Sequence, residues 1–400
     1  MDIFEKCKNF TKANDIKAAG LYSYFKEIEE NNGPIVKIDG RDILMAGSNN
    51  YLGLSVHPEV IQASKDAIDK YGTSCSGSRY LNGTLKLHTE LERDIAEYVG
   101  MEDALLFTTG FLVNQGVIPT LAHRDEYIIT DKDNHASIVA GTLIGKAMGT
   151  KNIRYLNNDM ESLEKQLKKL PLDAPKLIIT DGVFSMSGFV VDLPKIVQLA
   201  KKYNARLMLD EAHSVGVLGE NGLGTASHFG LENGKDVDLV MGTFSKSLAS
   251  LGGFIAGNHT VIDYTKHNSQ ALIFSASMPP ANVAAVIAAL KIIKREPERI
   301  HRIREIGNYM RKGLKTQGFK LLESCTPIVP ILIGDDLKTF RFCIRMLEEG
   351  VFANAVVSPG VPPGQQLVRT SYIGTLTKDQ LDKIIEVITK IGKEMEVISG

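Results

Sequence analysis

The chain has 400 residues, 44% hydrophobic and 23% charged, with a formal net charge of −1. That is the make-up of an ordinary soluble globular protein of one large or two moderate domains, without the charge excess of a nucleic-acid or membrane-surface binder. Cys7, Cys75, Cys325 and Cys343 form no CxxC pair, which argues against a disulfide framework and a zinc site and favours a reducing cytosol.

In chain order, residues 1–50 read as an N-terminal arm with an amphipathic stretch, Ile16–Ile28. The first residues are charged and lack the apolar run of a secretory signal. From 51 to about 270 the pattern changes to short apolar runs alternating with helical periodicity. Strands are expected at Ala104–Phe107, Tyr127–Thr130, Ile153–Leu156, Leu177–Asp181, Arg206–Asp210, Leu239–Thr243 and Phe254–Ala256, with helices such as Met160–Leu170 and Leu193–Tyr203 between them. Such a pattern predicts an α/β domain with a mostly parallel sheet covered on both faces. The uncharged stretch Asn268–Leu290 is broken by Ser275, Ser277, Pro279 and Pro280, against a membrane span. Residues 271–400 read as a smaller α+β domain: a long helical tract, apolar runs at Ile328–Ile333 and Val351–Val357, and a final helix from Lys378. Within the tract Lys291–Lys315, nine basic residues face three acidic ones, while Ile300, Ile303, Ile306, Met310 and Leu314 keep near-helical spacing. That reads as a solvated helix lying on the core. A basic face for CoA phosphates or a membrane surface is the sharper alternative.

Sheets of this kind bind ligands beyond the carboxyl ends of their strands. No GxxxxGK[ST] is present, and Gly216–Gly224 lacks GxGxxG. Instead Thr108-Thr109-Gly110-Phe111 opens a helical pattern, which offers free N–H groups to a phosphate. Asp133-Asn134-His135, Asp210-Glu211-Ala212-His213 and Thr243-Phe244-Ser245-Lys246 follow three further strands. Singly, each has an ordinary structural reading as cap, surface imidazole or solvated amine. Together they bring a carboxylate, imidazoles, hydroxyls and an amine to adjacent strand ends, the equipment of a pyridoxal phosphate (PLP) site.

These residues sit in stretches that resemble the α-oxoamine synthases, fold-type-I PLP enzymes that join an amino acid to an acyl-CoA with loss of CO2. The stretches are SNNYLGL (48–54), GSRYLNGTLKLHTELE (77–92), TTGFLVNQG (108–116), DKDNHASI (131–138), TDGVFSMSG (180–188), LDEAHSVGVLGENGLG (209–224), GTFSKSLASLGGFIAG (242–257), FSASMPP (274–280) and LVRTSY (367–372). The resemblance implies a Schiff base on Lys246, which later removes the Cα proton. It sets Asp210 against the pyridine nitrogen, His213 on the phenolic oxygen and His135 on the ring face. Gly110, Phe111, Thr243 and Ser245 would hold phosphate or ring, and Ser185 would also reach the cofactor. Asn50, Ser78 and Arg369 would meet the amino acid, Arg369 because a guanidinium fork matches a carboxylate. It further implies a homodimer with shared sites, Ser275 and Ala276 approaching the partner's phosphate.

Four substrate pairs are known in the family. The segment Ser245–Gly253 is most like the branch that joins L-serine to palmitoyl-CoA and opens sphingolipid synthesis. The loop before Arg369 reads Pro-Gly-Val-Pro where that branch often shows Pro-Ala-Thr-Pro. Glycine with acetyl-CoA is the alternative. An aminotransferase would share Lys246 and need no acyl-CoA; a non-catalytic scaffold subunit would lack it. The expected location is cytoplasmic, with at most contact at the inner membrane surface. Cys75 reads as packing.

Overall fold

The computed structural model describes residues 2–399, which divide into two compact units, Asn49–Arg304 and Met1–Ser48 with Glu305–Gly400. The larger unit is built on a seven-stranded sheet in the spatial order Asp103–Phe107, Gly253–Gly257, Leu239–Thr243, Arg206–Asp210, Lys176–Asp181, Tyr127–Asp131, Lys151–Tyr155. Gly253–Gly257 runs antiparallel to both neighbours, and the other pairings are parallel. The strands lie within a residue or two of the expected ones.

Burial on both faces explains the composition of these strands. Leu105, Phe107, Ile128, Leu177, Ile179, Met208, Leu239, Met241 and Ile255 share one core with the helices Gly110–Leu121 and Ala136–Ala147. Their neighbours Ile129, Ile178, Leu207, Leu209, Val240 and Phe254 are also fully buried. The two-residue period carries this first face to the strand ends. Asp181 therefore follows Ile179, Asp210 follows Met208 and Thr243 follows Met241 on that face. The parallel register sets Asp181 directly beside Asp210.

The helix Pro280–Arg295 packs against Pro58–Tyr71 inside the larger unit. The pattern change near residue 270 had assigned it to the smaller domain; its alanine- and valine-rich turns are a buried helix face of the larger one. Pro297 separates it from Glu298–Thr316, whose Ile300, Ile303, Ile306, Met310 and Leu314 are all buried. In the smaller unit, Ile35–Ile38 and Arg41–Met45 form a hairpin extended by Val351–Phe352. Ile328–Leu332, Leu367–Ser371 and Asn354–Val356 form an antiparallel sheet. The helix Lys378–Glu394, opened by a Thr377–Gln380 capping box, buries Leu381, Ile384, Val387, Ile388 and Ile391. The arm departs from expectation. It holds a short helix Glu5–Lys8 and a second, Lys12–Ala18, that stops before Gly20 at φ +69°, and the chain then leaves Phe25 92% exposed. Beyond Gly20 the apolar residues of Ile16–Ile28 lie on no helix face. Among the described residues no helix is long and apolar enough to cross a membrane.

The segment Ser275–Met278 is pinned to the loop that carries Ser78. Ser277 N–H donates to Gly77 O at 2.9 Å, and Ser78 pairs with Ala276. Arg79 grips Glu92 through two bonds of 2.8 and 3.0 Å, while Glu92 also accepts Leu106 N–H. Buried His88 accepts Leu85 N–H on Nδ1 and donates from Nε2 to Met278 O at 2.9 Å. Burial, and then the Arg79 charge, lower its pKa from 6.5 to about 4. The unfolded chain binds the extra proton first, so this contribution is complete above pH 6.5 and is lost as pH falls toward 4. The linkage is worth about 3 kcal/mol. Acid-unfolding curves should be flatter over that window for His88→Gln; an unchanged slope would remove His88 from the account.

Candidate active site

The strand ends close around a cavity of about 260 Å3, lined among others by Gly110, Phe111, His135, Asp181, Ser185, Asp210, His213, Thr243, Ser245 and Lys246. Each lining group arrives by a local device. Thr109 caps the helix Gly110–Leu121, its Oγ1 accepting Leu112 N–H at 3.1 Å. The N–H groups of Gly110 and Phe111 then have no intrahelical acceptor and point outward at the positive end of the helix. A Cβ on Gly110 would come within 2.8 Å of Thr243, and one on Gly253 within 2.7 Å of the Gly110 Cα. Only glycines let the helix end press on the strands here.

Asp210, 4% exposed, has both oxygens engaged: Oδ1 accepts Ala212 N–H at 3.0 Å and Oδ2 accepts Asn114 Nδ2 at 2.8 Å. The next residue, Glu211, is wholly buried and accepts Thr225 N–H, Thr225 Oγ1 and Ser214 Oγ. It fastens the turn that presents His213, whose Nδ1 lies 2.7 Å from Tyr51 Oη.

His135 caps the helix Ala136–Ala147 and meets Phe111 edge-on, with ring centroids 6.3 Å apart. Its backbone N–H donates to Asp181 Oδ2 at 2.9 Å. Burial lowers the His135 pKa; the Asp210 carboxylate opposes that shift and the Lys246 ammonium adds to it. Burial and the Asp210 charge raise Asp181.

Lys246 stands in the turn after the strand Leu239–Thr243. Ala249 N–H closes onto Lys246 O at 3.1 Å, with Ala249 in the left-handed region at φ +57°. That conformation is uncommon for a residue with a Cβ and holds the turn sharply bent. Thr243 Oγ1 donates to Gly252 O at 3.1 Å and lies 3.0 Å from Ser245 Oγ, so Ser245 donates to it.

Nine of the expected site residues thus meet in one cavity. Ser275 and Ala276 line a separate small recess with Arg79 and His88. Ser78 lies in the paired segment beside Ala276, and Asn50 Nδ2 donates to Ser55 Oγ at 2.7 Å. Arg369 belongs to the smaller unit, buried in Leu367–Ser371 with Nη1 donating to Ser371 Oγ at 3.2 Å. Tyr51, Asn114, Ser137, Asp181 and Glu211 were not picked out from the sequence. Asn114 carried a partial signal, being with Gln115 one of two polar residues in the run Gly110–Gly116.

The donor set fits PLP: a helix N-terminus for the phosphate, a fixed carboxylate for the ring nitrogen, an imidazole for the ring face and an amine for the aldehyde. The comparisons decide the family. The model for aminotransferase class I and II matches residues 41–388. A serine palmitoyltransferase of Sphingobacterium spiritivorum is 48% identical over 395 residues, 99% of this chain and 98% of that one. The chain belongs to the aminotransferase class I and II family, in its α-oxoamine synthase branch.

Another α-oxoamine synthase, 8-amino-7-oxononanoate synthase 1 of Bacillus subtilis, is 40% identical over 391 residues, 97% of this chain and 98% of that one. A solved structure of SPT with PLP internal aldimine superposes with a TM-score of 0.96 at 33% identity, covering 100% of both chains. This α-oxoamine synthase therefore has the fold-type-I architecture, takes PLP as its cofactor and is an acyltransferase.

Proposed function

We propose that the chain joins L-serine to a long-chain acyl-CoA, palmitoyl-CoA being the expected donor, to give 3-ketodihydrosphingosine, CO2 and free CoA. The observation that carries this substrate pair is the 48% identity, along nearly the whole chain, to a serine palmitoyltransferase. Bound PLP supplies an electron sink conjugated to the α-carbon of the amino acid.

The chain's own residues do the rest. Lys246 holds the cofactor through its amine and then takes the α-proton on Nζ. Asp210 would hold the cofactor's ring nitrogen and keep a proton there. Its two donors fix the carboxylate before the reaction starts, so no reorganisation is needed when charge develops. The N–H groups of Gly110 and Phe111, with Thr243 and Ser245, hold the phosphate; His213 and Ser185 hold the ring oxygen side. Arg369 is assigned the substrate carboxylate on its fork geometry, with Asn50 and Ser78. Ser275 and Ala276 serve the partner's site in a homodimer. Their position outside the Lys246 cavity supports that reading, as does the 83% exposure of neighbouring Phe274.

His135, in the cavity wall beside Phe111, would lie against the cofactor ring and help to orient the bound amino acid for loss of its α-proton. His135→Ala should divert turnovers into conversion of the cofactor to its amine form, raising that fraction relative to condensation. A uniform loss of rate with no amine form would reduce His135 to packing. The reading as a whole is tested by incubating the PLP-loaded protein with serine and palmitoyl-CoA. Product mass, CO2 and free thiol should appear in equal amounts; thiol release without a condensed product would refute it.

A further inference from the structure

Asn114 is a buried amide in the helix Gly110–Leu121, and its two ends are treated unequally. Nδ2 donates to Asp210 Oδ2 at 2.8 Å and to Ser137 Oγ at 2.9 Å. Oδ1 is buried with no partner. Turning the amide over would set Oδ1 against the Asp210 carboxylate, two acceptors face to face, so the orientation is determined. An amide that leaves its own acceptor unsatisfied in the core is there for its two donors.

The chain of donors continues. Ser137 Oγ accepts from Asn114, which leaves its own hydrogen for His135 Nδ1, 2.7 Å away. The Ser137 backbone N–H donates to the same nitrogen at 3.2 Å. A nitrogen that receives two donors carries no hydrogen itself, so the neutral ring keeps its proton on Nε2.

We infer that Asn114 and Ser137 are positioning residues that tie Asp210 to His135 and lock His135 as the Nε2–H tautomer. The inference rests on the PLP site proposed above and extends it. Nε2 lies on the ring edge opposite Ser137, and it is the donor left for cofactor or substrate in the cavity. A second proton would have to enter at Nδ1, against both Ser137 donors, so the relay also resists the imidazolium form. The other charges facing the ring are Lys246, which opposes protonation, and Asp210, which favours it; Asp181 holds the His135 backbone N–H.

The test is proton–nitrogen correlation spectroscopy of isotope-labelled histidines in the full-length protein, with and without PLP, the His135 signals being assigned through His135→Gln. In the parent protein, Nε2 should be protonated and Nδ1 bare across neutral pH. Ser137→Ala should raise the proton affinity of His135 about three- to tenfold, the effect of one lost hydrogen bond. Ser137→Thr, which keeps the hydroxyl, should restore the parent titration. Asn114→Leu should shift His135 in the same direction as Ser137→Ala and lower kcat further, because Asp210 also loses a donor. A parent ring protonated on Nδ1, or a Ser137→Ala titration equal to the parent's, overturns the inference. The cofactor-free spectra test the relay by itself, whereas a PLP-treated protein without a borohydride-sensitive visible band would sink the underlying site assignment instead.

Discussion

Lys246→Ala should fold, bind PLP without a covalent link and lose at least about a thousandfold in turnover. The loss is expected to be large because, on the proposed assignment, one amine does two jobs, attachment of the cofactor and removal of the α-proton. His135 Nδ1 already accepts Ser137 N–H, and Asp210 has both oxygens engaged by Asn114 and Ala212. Folding should be little affected, since Lys246 is half-buried and its turn is held by Ala249 N–H on the Lys246 carbonyl and by Thr243 Oγ1 on Gly252 O, both of which the substitution keeps. The check is the visible absorption band and its loss on borohydride treatment, followed by mass mapping of the labelled peptide to Lys246. A variant with normal turnover would remove the foundation of the site.

Asp210→Asn should slow α-proton removal about a thousandfold while leaving the covalent link to Lys246 in place. A carboxylate beside a protonated ring nitrogen is worth about 4 kcal/mol at an effective dielectric near 20, and the isosteric amide removes that charge. The same energy is about a thousandfold in rate. The new side chain can still accept from Ala212 N–H, while its Nδ2 meets Asn114 Nδ2, two donors, so the Asn114 amide has to turn over to keep a hydrogen bond there. Exchange of the substrate α-hydrogen with solvent deuterium isolates this step from the acyl-CoA half of the reaction. Exchange at the parent rate would show that the carboxylate does not keep the ring nitrogen protonated.

The parts of the fold that a two-residue or helical period dictates could be read from the chain. Six of the seven central strands are mostly apolar runs buried on both faces, the edge strand Lys151–Tyr155 being largely exposed or half-buried, and the carboxyl ends of the buried strands announce Asp210, His213 and Lys246 by position. What the period could not show was which residues serve those ends from other elements. Tyr51 reaches His213 across 162 residues, and Asn114 reaches Asp210 across 96. Both lie in stretches singled out by resemblance, yet nothing in the local pattern connects them to their partners. The arm misled for a different reason. Ile16–Ile28 holds apolar residues at helical intervals, but Gly20 adopts a left-handed conformation and ends the helical turn at once. The helix Pro280–Arg295 was misassigned because alanine and valine mark a close-packed helix face without naming the surface it packs on.

The central claim is the substrate pair, and kcat/KM for serine and glycine, each with palmitoyl-CoA and acetyl-CoA, tests it most directly. A site that hydrogen-bonds the serine hydroxyl leaves a polar group unpaired when glycine binds. Each methylene of the acyl chain buried in an apolar channel adds about 0.8 kcal/mol. Serine with palmitoyl-CoA should therefore have the highest value, and changing either partner should lower it. If glycine with acetyl-CoA is the best pair, the assignment of substrates is wrong, and Lys246, Asp210 and His213 serve a different branch of the same family.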